Sequence, residues 1–152
     1  VTVAREVIAA AEDTSLDHHM RLGAAARALP HAPGPAEDDE ATGIARRSVD
    51  ALLEQLGWRG MDDELFPALG TLVASVAALV RLGYPCDTAR LPPYGRIAAE
   101  LAVADLDVVE EQPTAAGQIE AAVALTVLYE PVLLSLRRLA HVQESARRFG
   151  GC

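Results

Sequence analysis

Three ionisable side chains stand where a helical reading of the sequence expects apolar ones. Ser15 and His18 interrupt an apolar stripe near the N-terminus, Asp105 falls inside an apolar arc, and Thr126 and Glu130 lie in or beside the run LTVLYEPVLLSL, residues 125–136. An ionised carboxylate in an apolar interior is costly unless it is paired. A histidine held beside two carboxylates would satisfy them, and each group would shift the titration of the others. Such a cluster of His18, Asp105 and Glu130, flanked by His19, Ser15 and Thr126, could exchange protons with a ligand or hold a metal ion. It could equally be an inert polar network in the core. Glu130 has a plainer reading as well, because Arg137, His141, Glu144 and Arg148 follow on its side of the helix as a solvated charge ladder.

A second set of candidates lies in the connector GYPCDTARLPPYG, residues 83–95, which holds Tyr84, Arg90 and Tyr94. Long connections in compact domains often carry function, and Pro-rich ones also need aromatic anchors. A third set is the small-residue stripe Gly70, Ala74 and Ala78. It backs a helix with no charge between residues 65 and 80, which suits a central helix or an interface between copies.

The elements that position these residues read as helices. Apolar residues make up 51% of the 152 and aromatics only 4%, so the core must be built from Ala, Leu and Val, a palette that favours helix over strand. Steps of three and four predict helices over 2–29, 41–57, 62–82, 96–111 and 114–148. Val49, Leu52, Leu53 and Leu56 line the second, which Gly57 ends. Leu69, Leu72, Val73, Val76, Leu79 and Val80 line the third. On the last, Leu125, Leu128, Val132, Leu136 and Leu139 form the expected core face, and Pro131 should kink it. The expected fold is therefore all-α, a single domain over 1–152 with long first and last helices.

Charge and motifs narrow the function. The formal net charge is −9, and all thirteen basic residues are arginine. The Arg-only, Ala-rich composition suggests a high-GC bacterial genome. A strongly acidic chain repels phosphate and anionic lipid, so nucleic acid and membrane are not expected as partners. The two cysteines make neither a disulfide framework nor a zinc site, and no signal peptide is evident, which fits a cytoplasmic protein with reduced thiols. The string Asp17-His18-His19 resembles a signature of metal-dependent phosphoesterases but lacks their strands. Arg137 and His141 fall just short of the spacing in helical ribonucleases. No metal site and no particular cofactor is indicated. The leading expectation is a non-catalytic module that self-associates or binds a protein partner. The alternative is a bundle, enzymatic or not, that takes a small-molecule ligand or metal on His18, Asp105 and Glu130.

Overall fold

The computed structural model describes residues 39–61, 66–87 and 89–149. They are all-helical, as the composition implies. In order they form α1 (Glu40–Leu56), α2 (Pro67–Arg81), α3 (Pro92–Glu110), α4 (Ala115–Ala124), a π-helical segment (Leu125–Tyr129) and α5 (Glu130–Phe149). The last three run on as one stretch, so four helical stretches answer four of the five expected. The first expected helix, 2–29, lies outside the described residues. By its internal contacts the chain divides into two compact units, and the division falls inside α3 after Ala104.

Unit 1 is built on the α1–α2 pair. Asp39 caps α1 by accepting a 2.8 Å hydrogen bond from the Thr42 N–H, which satisfies a donor the helix itself cannot. Gly57 ends α1 at φ 74°, a left-handed conformation that favours glycine. The Gly57 N–H then bonds the Glu54 carbonyl, the Trp58 N–H bonds the Leu53 carbonyl, and Trp58 packs on the core containing Leu53. Gly83 and Tyr84 repeat this closure on α2, bonding the carbonyls of Val80 and Leu79. Pro67 opens α2, where its missing N–H costs nothing. Between the helices, Ala45, Val49 and Leu53 bury against Leu69, Val73, Val76 and Ala77. These are steps of three and four on each helix, so periodicity alone selects this core. α3 enters by a close approach: Gly95 is buried, and a Cβ there would stand 2.5 Å from Leu56 Cδ1.

Unit 2 is thinner. Val109, Ile119 and Leu125 are its buried hydrophobic residues among those described. Thr114 caps α4 by accepting from the Gly117 N–H at 3.0 Å. Pro131 does not break the stretch that follows. The turn before it widens instead to π winding over Leu125–Tyr129, and α-helix resumes at Glu130. Proline has no N–H for the usual ladder, and a single π turn is one way a helix absorbs such a fault.

Candidate functional site

Asp105 is half-buried on α3, whereas Thr126 and Glu130 are exposed. The Thr126 hydroxyl donates to the Ala122 carbonyl at 2.9 Å, so it is satisfied within its own helix. Ser15, His18 and His19 lie outside the described residues. Among the described residues no three His, Cys, Asp or Glu side chains gather where they could hold a metal ion.

The connector is shorter than 83–95, because α3 begins at Pro92 and takes Tyr94 into its first turn. Tyr84, Arg90 and Tyr94 are all exposed. Asp87 organises the turn between them: its carboxylate accepts from the N–H groups of Ala89 and Arg90 at 3.0 and 3.1 Å. Cys86 is a free thiol, half-buried against the unit 1 core. On the back of α2, Gly70 and Ala74 are half-buried and Ala78 is exposed. The Ser75 hydroxyl on that side bonds back to the Thr71 carbonyl, so this surface is small and internally satisfied.

Two charge constellations do form. Asp39, at the start of α1, receives Arg81 from the end of α2 in a two-pronged ion pair, with Nε to Oδ2 at 3.0 Å and Nη2 to Oδ1 at 2.9 Å. This fork ties the open ends of the helix pair. The Thr42 backbone and hydroxyl bonds, and then Arg81, hold the Asp39 carboxyl below its ordinary value of 3.8. A depressed carboxyl contributes stability above its unfolded pKa and loses it as pH falls through the folded value. Acidification below about pH 4 should therefore lower the melting temperature of unit 1. Asp39→Asn, which can still cap the helix, should flatten that acid decline in thermal circular dichroism from pH 7 to pH 2.5. An unchanged decline would remove Asp39 from the account.

The second constellation is on α5. Glu144 accepts from Arg147, three residues on, and from Arg148, four residues on. These bonds, Arg147 first, hold its carboxyl below the usual range and raise Arg147 in return. The expected ladder thus forms at its C-terminal end. The opposite side of α5 departs from expectation. Leu125 is 6% exposed, but Leu128, Val132, Leu136 and Leu139 are 50–66% exposed, and α5 contains no buried residue. The stripe exists, but no element among the described residues covers it. By length and composition Ala115–Phe149 would also be long and apolar enough to cross a membrane.

No family model and no curated protein matches the sequence. A solved structure, that of the putative transcriptional regulator SCO5550 from Streptomyces coelicolor A3(2), is 47% identical to this chain. The match covers 99% of this chain and 73% of that one, at a TM-score of 0.84. This chain belongs to the family of that regulator. The likeness overturns two expectations drawn from the sequence. One is the generic non-catalytic module defined only by self-association or a protein partner. The other is the exclusion of nucleic acid. That exclusion rested on the net charge of −9, which sums over the whole chain. Phosphate responds to local arginines within a screening length of about 8–10 Å, so a sum cannot decide it.

Proposed function

We propose that this chain acts in transcriptional regulation, on DNA, as a homodimer in the bacterial cytoplasm. The observation that carries this reading is the 47% identity to a regulator over 99% of the chain. The densest positive charge among the described residues supports it: Arg137, Arg138, Arg147 and Arg148 fall within twelve positions of α5 against Glu144. Glu144 already engages Arg147 and Arg148, which leaves Arg137 and Arg138, both exposed, as the arginines to meet phosphate.

The test is fluorescence anisotropy of the purified chain against sheared genomic duplex DNA across a salt series. Binding should weaken steeply as salt rises, because phosphate contacts release counterions. Replacing both Arg137 and Arg138 by Gln should weaken binding evenly across sequences and reduce the salt slope by about two for each copy in contact with the DNA. A chain that binds no duplex at low salt overturns the reading. An unchanged slope in the double variant moves the phosphate contact off α5.

A further inference from the structure

We propose that the π turn and Pro131 form a built-in joint that turns the leucines of α5 away from the side on which Leu125 is buried, and that α winding through the same residues would bring them back in line with it. The starting point is a mismatch along one continuous stretch. Leu125, Val132, Leu136 and Leu139 are spaced by seven, four and three residues, so an unbroken α-helix would set all four on one side. Leu125 is buried, whereas the other three are at least half exposed. The π turn at Leu125–Tyr129 lies between the two environments. It takes up one residue more than an α-turn, which sets every later side chain back by about 100°. No residue of α5 is buried, so among the described residues no packing fixes its rotation independently of that turn.

Two side chains hold the turn open. Pro131, just beyond it, has no N–H, and in α winding its ring would press on the Val127 carbonyl. Thr126, inside it, donates its hydroxyl to the Ala122 carbonyl at 2.9 Å. That carbonyl is the α-helical acceptor for the Thr126 N–H, so the hydroxyl competes with a backbone bond that α winding needs. Single π turns of this kind are rare and occur frequently at functional sites. Here the effect is to withhold the leucines from the side where Leu125 meets its own unit. Neither Thr126 nor Pro131 enters the DNA contact read above, so the joint stands or falls apart from it.

The test is the crystal structure of the full chain as wild type, as Pro131→Ala, and as Pro131→Ala with Thr126→Val, each superposed on Ala115–Ala124. Alanine is the best helix former and valine keeps the shape of threonine, so circular dichroism should keep its helical amplitude in both variants. Wild type should show π winding over Leu125–Tyr129. Pro131→Ala should show α winding there, with Val132, Leu136 and Leu139 rotated by about 100° to the side of Leu125. In solution, nuclear Overhauser contacts from the Leu125 Hα should reach the Glu130 amide in wild type and stop at the Tyr129 amide in the variant. Rewinding in the double variant alone also supports the joint and assigns the hold to both residues. A wild type wound as α-helix through the turn, or a double variant that keeps the π winding, overturns the proposal. So does a rewound turn with the leucines unmoved, because their aim would then come from packing.

Discussion

Val49→Asp should remove most of the stability of unit 1. Val49 is fully buried between α1 and α2, and it is one of the two largest side chains in the described core without measurable exposure. That core holds no buried polar or charged residue among those described, so the new carboxylate would find no partner. An unpaired buried charge costs more than about 4 kcal/mol, out of a total stability of about 5–15 kcal/mol. Val49→Ala removes only two methyl groups and leaves a small cavity, for about 2 kcal/mol. Trp58 is the sole tryptophan and packs on this core, so its fluorescence in a urea titration reports the unit directly. Equal midpoints for the Asp and Ala variants would mean that water reaches position 49.

Gly95→Val should destabilise by about 2–3 kcal/mol, and Leu56→Ala should restore part of the loss. A Cβ on residue 95 would lie 2.5 Å from Leu56 Cδ1, 3.2 Å from Cδ2 and 3.3 Å from Cγ. The nearest atom ends a flexible side chain, so Gly95→Ala needs only a rotation of Leu56 and costs under about 1 kcal/mol. Valine brings branches that a rotation cannot clear. The double variant should recover at least about 1 kcal/mol over the sum of the singles, read as a coupling energy in urea denaturation. Additive singles would show that α3 is positioned by something other than this contact.

Unit 1 was legible because its signals are local and agree with one another. The i, i+3 and i+4 spacing of Val49, Leu52 and Leu53 on α1, and of Leu69, Val73 and Val76 on α2, names the buried residues, and Gly57 names the end of α1. Boundaries slipped where proline had two roles. Pro67 and Pro92 read as loop residues or early helix residues, and each is the first residue of its helix. The Asp39–Arg81 fork was not legible, because it joins residues 42 positions apart and depends on which helix ends meet. The α5 stripe was legible as a stripe and misread as a core. Periodicity reports that a face is apolar, and it carries no information about whether this chain or another molecule covers it. Net charge misled for a related reason, since it averages over a surface on which ligands meet patches.

The π winding at Leu125–Tyr129 sets the azimuth of everything after it. Such a turn holds one residue more than an α-turn, and each residue of an α-helix advances the side chains by about 100°. Without that residue, Val132, Leu136 and Leu139 would face about a quarter-turn away from where they now point relative to Ile119 and Leu125. Pro131 guards this phase, because an α-turn through its position would demand an N–H that proline does not have. The pair therefore works as a fixed offset between the buried and the exposed parts of one helix. Related chains could re-aim the same leucines by gaining or losing a single residue there, with no change to the leucines themselves.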